Sequence, residues 1–301
     1  MKRIRRAPAK VNLFLFMAGR RQDGYHLLYS CMQTISLYDE VEVEIKDGKG
    51  RVTLDSDQVK LLRFPEKNTC VIAAKALLSE LPSPDLDVTI RLTKRIPSQA
   101  GLGGGSSDAA AVLLAMNEML SAPVSDEKLH AIALRVGADV PFFLDGGTSL
   151  CEGVGEVITK LPPLAGLPML IMKPAKGVST PGCYARFDQK GRFWSLQDDQ
   201  KPIMEDFLSA RGAEDALTRV KKGSGVWGND LEEPALSDAP EIGIAPPLMR
   251  EYGAVYAAMS GSGSAVFGIF EREEQVDALI ASDKIRKLRE QGWFVQKVFS
   301  I

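Results

Sequence analysis

The stretch Gln99 to Ala110, QAGLGGGSSDAA, packs Gly101, Gly103, Gly104 and Gly105 into five residues, then Ser106, Ser107, Asp108 and a run of helix formers. Glycine has no Cβ, so its backbone reaches φ > 0 and its N–H groups come close to a ligand. A helix N-terminus adds free N–H groups and the positive end of the helix dipole, which together favour an anion, typically a phosphate. The two serine hydroxyls are suited either to capping the helix or to touching a phosphate. Asp108, read in the first turn, favours the dipole but repels a phosphate set too close. Two familiar phosphate loops do not fit: no Gly-Lys precedes a Ser or Thr here, and Ser106 stands where G-x-G-x-x-G counted from Gly101 needs its third glycine. A glycine-rich turn that merely caps a helix is the alternative reading.

Three further constellations carry chemistry. APAKVNLFLFMAGRRQDGYH, Ala7 to His26, sets Lys10 and Asn12 two apart on a strand, hence on one face, and then presents Tyr25 and His26 after a turn at Gly24. Asn12 inside an apolar run needs partners for its amide. GADVPFFLDGG, Gly137 to Gly147, places Asp139 between a helix-stopping glycine and Pro141. Asp139 suits a cap of the turn that begins at Pro141, or proton transfer from a carboxylate beside apolar neighbours. MSGSGSAVFGIF, Met259 to Phe270, is a second glycine-serine loop between two strands, a hairpin when read alone.

These residues must be held by a folded scaffold, and the composition supplies one. The chain has 301 residues, 45% hydrophobic and 25% charged, enough for two domains with real cores. Net charge is −2, which argues against a large nucleic-acid footprint. Four dispersed cysteines and two histidines do not make zinc spacing and suit a reducing cytosol. The basic start MKRIRR leads into an apolar run that Pro8, Lys10 and Asn12 interrupt, so it reads as the entry to a first strand rather than a signal peptide. No stretch approaches the ~20 apolar residues of a membrane span, and the expectation is a soluble, cytoplasmic protein without a membrane partner.

Periodicity predicts strands at KVNLFLF, VEVEI (41–45), DVTIRL (87–92) and PMLIMKP (168–174). It predicts helices over 68–81 with an Asn68 cap, from Ser106 onward with Leu113, Met116 and Leu120 on one face, and over 125–138 with a Ser125 cap. TSLCEG and EVITKL read as a hairpin, GAVYAAMS and SAVFGIF as paired strands, 271–290 as one charged helix, and WFVQKVF as a last strand. Strands and helices mix without a regular βαβ period, so the expected class is α+β, with a domain break in LPPLAGLP, 161–168.

In this order the motifs resemble those of the GHMP small-molecule kinases: PAKVNLFL early, PSQAGLGGGSSDAA (Pro97 to Ala110) in the middle, SGSGSAVFG (Ser260 to Gly268) late. AGRRQDGYH, GADVPFFLDGG and GNDLEEPAL (Gly228 to Leu236) resemble the members whose alcohol acceptor, a methylerythritol, carries a cytidine diphosphate. The resemblance implies an N-terminal domain like ribosomal protein S5 domain 2 over 1–163 and a ferredoxin-like domain over 164–301, with ATP and substrate in a cleft between them. It implies transfer of the γ-phosphate of ATP, with Mg2+, to a 2-hydroxyl in the non-mevalonate isoprenoid route. Asp139 is then the base or orienter of the hydroxyl, with Lys10 beside it holding the carboxylate ionised. Pro97, Gly101, Leu102, Gly103, Gly104, Gly105, Ser106 and Ser107 hold ATP. Asn12, Tyr25 and His26 bind the substrate, its cytosine stacked on Tyr25 and hydrogen-bonded by His26; Gly261, Ser262 and Gly263 close over it; Tyr184 covers the second face of the base, with Phe193 and Trp194 as competitors. The rivals are a sister kinase acting on homoserine or mevalonate, and a non-catalytic RNA-binding protein.

Overall fold

The computed structural model describes residues 1–82, 85–190, 201–223 and 227–301, without the side chains of 201–204, 213 and 223. Phe193 and Trp194 therefore lie outside the described residues. The chain forms two compact units that interleave in sequence: Met1–Ala9, Leu37–Ile96 and Gly103–Gly146 make the first, and Lys10–Ser36, Pro97–Leu102 and Gly147–Ile301 the second. Strands β1 (Lys2–Arg20) and β2 (His26–Asp47) contribute residues to both.

In the first unit, the end of β2 pairs antiparallel with β4 (Leu86–Thr93), Val41 opposite Leu92 and Val43 opposite Ile90. Strand β3 (Val52–Ser56) lies parallel to β4 on its other side. The alternation in VEVEI is realised: Val41, Val43 and Ile45 are buried and Glu42 and Glu44 are not. Helix α1 (Thr69–Leu78) starts where Asn68 accepts a hydrogen bond from the Cys70 N–H at 2.9 Å. Helix α2 (Gly104–Met119) packs against α1 and α4 (Val140–Asp145), and α3 (Asp126–Val136) is capped by Ser125. Helix α2 begins two residues before the expected Ser106, because Gly103 takes the left-handed conformation, φ +69°, at its N-cap.

In the second unit, the start of β2 pairs with β5 (Thr148–Gly153), which turns into β6 (Val157–Lys160), the expected hairpin. Strand β7 (Pro168–Lys173) is followed by α5 (Thr180–Gln189), α6 (Lys201–Leu208), α7 (Ala213–Gly223), α8 (Glu232–Leu236) and α9 (Ala245–Glu251). Then come β8 (Ala254–Met259), β9 (Val266–Phe270), α10 (Glu273–Ile280), α11 (Asp283–Glu290) and β10 (Phe294–Phe299). The four strands are antiparallel in the order β10-β7-β9-β8. With helices in both crossovers this is the β-α-β-β-α-β, ferredoxin-like arrangement. As an inner strand, β7 is buried on both faces, which explains its unbroken apolar run. The expected single helix over 271–290 is two, broken where Ser282 caps α11 by accepting from the Ile285 N–H. All four cysteines are buried. No helix among the described residues is long and apolar enough to cross a membrane.

Candidate active site

The glycine motif divides between the units. Its first part packs against the second glycine loop. Gly101 has φ +72°, and a Cβ there would lie 2.0 Å from the Ser260 carbonyl oxygen. Ser260 Oγ donates to the Gly101 carbonyl at 2.9 Å, and the Ala265 N–H donates to the Ala100 carbonyl at 3.1 Å. A Cβ on Gly261 would lie 3.0 Å from the Gly101 carbonyl oxygen. At this point the missing side chains serve chain-on-chain contact. Leu102 is buried, and its carbonyl accepts from the Lys10 N–H at 3.0 Å.

The second part opens helix α2. Neither Ser106 nor Ser107 caps it: the N-cap is Gly103, and no side chain bonds the free N–H groups at the start. Ser107 is 1% exposed and its Oγ has no hydrogen-bond partner among the described residues. Thr69 Oγ1 donates to the Gly105 carbonyl at 2.8 Å, a contact that uses none of the N–H groups of the turn. Uncapped N–H groups beside an unpartnered hydroxyl fit a triphosphate. Among the described residues no group of three or more His, Cys, Asp or Glu is placed to hold a metal ion.

Asp108 departs from the expectation. It is not at the helix mouth but buried one turn in, where Lys94 Nζ donates to its Oδ2 at 2.6 Å and also to Asp39 Oδ2. Asp39 Oδ1 accepts from the Arg95 and Ile96 N–H groups at 2.5 and 2.8 Å. Burial pushes the Asp108 carboxyl up to about 7; the Lys94 ammonium opposes the shift and Asp39 adds to it. Folding thus takes up a proton between the ordinary aspartate range and about pH 7, so this group makes stability fall as pH rises through that window. Asp108→Asn removes the titration. Denaturant midpoints from pH 5 to 8 are expected to fall less steeply in the variant than in the wild type, and identical pH slopes would contradict this reading.

Lys10 and Asn12 share a face of β1 as the two-residue spacing requires, and both are buried, at 3% and 2% exposure. Lys10 Nζ donates to Asn12 Oδ1 at 2.5 Å, and Asn12 Nδ2 donates to Ser30 Oγ at 2.8 Å. The Asn12 N–H reaches Ser260 Oγ at 3.2 Å. Asn229, inside the GNDLEEPAL stretch, donates through Nδ2 to the carbonyls of Met259 and Gly261, at 2.8 and 2.7 Å. It therefore holds the loop carrying Gly261, Ser262 and Gly263, a role that its sequence position did not disclose. Ser262 Oγ meets Thr180 Oγ1 at 2.7 Å.

Asp139 belongs to the first unit. It occupies the N-cap position of α4 but makes no capping hydrogen bond, so the capping alternative does not describe it. Val140, Pro141, Phe142 and Phe143 are buried and anchor the half-buried aspartate.

His26 opens β2. Its ring centroid lies 4.8 Å from that of Tyr184 and its Nε2 lies 2.6 Å from Asp188 Oδ1, both on α5. Tyr25, in the turn stabilised by the Arg21 N–H bond to its carbonyl at 2.7 Å, is 63% exposed. The structure thus brings His26 to Tyr184. Asp188 went unread because its partner is 162 residues away in sequence.

Known proteins resemble this chain in sequence and in fold. Residues 68–147 match the model of the GHMP kinases N terminal domain and 229–282 that of the GHMP kinases C terminal. A 4-diphosphocytidyl-2-C-methyl-D-erythritol kinase of Desulfitobacterium hafniense is 41% identical over 91% of this chain and 89% of its own. The enzyme of that name from Clostridium beijerinckii is 37% identical over 94% and 95%. A crystal structure of 4-(cytidine 5'-diphospho)-2C-methyl-D-erythritol kinase superposes with TM-score 0.76 at 33% identity, covering 99% of this chain and 100% of the other. A homoserine kinase from Cytophaga hutchinsonii gives the same TM-score at 20% identity over 100% and 94%, a likeness of fold alone. With relatives this similar along nearly its whole length, the chain belongs to the 4-diphosphocytidyl-2-C-methyl-D-erythritol kinase family of the GHMP kinases.

Proposed function

We propose that this enzyme moves the γ-phosphate of ATP to the 2-hydroxyl of 4-diphosphocytidyl-2-C-methyl-D-erythritol, a step of isoprenoid precursor synthesis. The observation that carries the phosphate chemistry is the start of α2, uncapped and flanked by the buried, unpartnered Ser107 hydroxyl. Pro97 and Gly101 to Ser107 hold the triphosphate. Magnesium carried by that triphosphate would supply neutralisation of its negative charge.

Asp139 orients the acceptor hydroxyl and takes its proton as its oxygen bonds the γ-phosphorus and the bond from that phosphorus to the β–γ bridging oxygen breaks, releasing ADP. Lys10 balances charge on the moving phosphoryl, and Asn12 fixes both the Lys10 ammonium and the substrate. Phosphoryl transfer asks chiefly for position and charge stabilisation, which buried Lys10 and Asn12 and half-buried Asp139 supply. The cytosine stacks on Tyr25 and is hydrogen-bonded by His26, with Tyr184 as the second aromatic, while Gly261, Ser262 and Gly263 close over the acceptor. Base–aromatic stacking is worth about 1–3 kcal/mol per base. We divide the chain functionally after residue 163. We place the enzyme in the cytoplasm without a nucleic-acid partner, as a net charge of −2 favours.

Competition tests the assignment against the sister kinases. Cytidine monophosphate is expected to compete with the alcohol acceptor and not with ATP. Absence of competition at millimolar concentration would remove the cytosine pocket from the account.

A further inference from the structure

The face of α5 that meets His26 carries more than Tyr184. Asp188 stands one helical turn further on, so the two side chains project from one side. Tyr184 lies against the His26 ring and Phe187 meets it edge-on, with centroids 6.1 Å apart. Asp188 grips the ring by its Nε2, and its other oxygen lies 3.3 Å from an Arg20 guanidinium nitrogen. The His26 side chain is 9% exposed, so the ring has little room to turn.

An ionised carboxylate only accepts hydrogen bonds, so the hydrogen at the Asp188 contact belongs to His26 Nε2. A ring with one proton then leaves Nδ1 as a lone-pair acceptor. Nδ1 makes no hydrogen bond among the described residues. A cytosine base has one donor group on its pairing edge, the 4-amino group; N3 and O2 accept. Uracil has a carbonyl oxygen in place of that amine.

We infer that Asp188 is a positioning residue that locks His26 with its proton on Nε2, so that Nδ1 accepts from the 4-amino group of the acceptor's cytosine and turns uracil away. The inference rests on the reading that the base binds at Tyr25 and His26. In a uridine acceptor O4 would face Nδ1 lone pair to lone pair, leaving two acceptors unsatisfied, which corresponds to discrimination on the order of 10–100-fold. Arg20, on the second carboxylate oxygen, keeps Asp188 from swinging away.

The test uses the full-length enzyme with the cytidine diphosphate alcohol and its uridine counterpart, each with saturating ATP. Wild-type kcat/KM is expected to favour cytidine by tenfold or more. Asp188→Ala should cut that preference at least tenfold by raising KM for the cytidine acceptor, with kcat and the KM for ATP within about twofold. Asp188→Glu, which restores a carboxylate, should recover part of the preference. The chain has only two histidines, so His130→Gln assigns a 15N spectrum directly. At pH 8 the His26 signals should show protonated Nε2 and bare Nδ1 in the wild type, and a tautomer mixture in Asp188→Ala.

A wild-type ring protonated on Nδ1, or an unchanged base preference in a folded Asp188→Ala, overturns the inference. Should Asp188→Ala fail to fold, the wild-type tautomer and the Asp188→Glu preference decide it. A wild type that holds the Nε2–H tautomer yet uses both bases equally refutes the underlying cytosine reading instead, and the lock then has no role in specificity.

Discussion

Asp139→Asn is expected to lower kcat by about 10³, within the range for loss of a positioned general base, while the KM for ATP and the melting temperature stay near wild type. Asp139 sits at an N-cap without making a capping bond, so the amide removes no hydrogen bond from the α4 terminus. What it removes is a proton acceptor. Lys10→Met is expected to lose a comparable factor, since methionine fills the buried channel of the lysine stem without its charge. If the two groups work as a unit, the double variant is little worse than either single one. Losses that simply multiply would separate Lys10 from the work of Asp139, and near-normal turnover in Asp139→Asn would remove Asp139 from the mechanism.

The second large effect separates two duties of one glycine motif. Gly101→Ala places a Cβ 2.0 Å from the Ser260 carbonyl oxygen, at φ +72°. Left-handed strain of about 1–3 kcal/mol and a similar overpacking cost are expected to lower the melting temperature and leave little active enzyme. Gly105→Ala meets only Thr69 Oγ1, at an ordinary 3.5 Å, inside a helix that alanine favours. That variant is expected to fold as well as the wild type yet raise the KM for ATP tenfold or more, by crowding the phosphate oxygens. Thermal melts and ATP saturation curves on both variants check this. A Gly105→Ala enzyme with unchanged KM for ATP would reduce the motif to a structural turn.

Features that depend on neighbours in sequence were legible. Asn68 and Ser125 cap the helices they precede, because a cap needs only the next few N–H groups. The alternation in VEVEI and the unbroken run of β7 report strands buried on one face and on two. The strands and the last helical stretch read after residue 168 are found in that order, while the ferredoxin-like arrangement itself came from the resemblance. Features that depend on distant partners were not legible. Asp108 reads as a helix-mouth charge until Lys94 and Asp39 are seen to bury it. The bareness of Gly101 reads only as room for a ligand until Ser260, 159 residues on, is seen to stand where its side chain would be. The break between α10 and α11 did leave a local sign, Ser282 ahead of Asp283, but the charge pattern on either side masks it.

The central claim is phosphoryl transfer from ATP to one alcohol. The most direct measurement is ADP release with magnesium and ATP in the presence of 4-diphosphocytidyl-2-C-methyl-D-erythritol, beside parallel reactions with mevalonate and homoserine. Acceptor-dependent ADP release is expected with the cytidine alcohol alone, matched by new phosphate on its 2-hydroxyl. Release with mevalonate or homoserine in its place, or with no acceptor-dependent release at all, would contradict it.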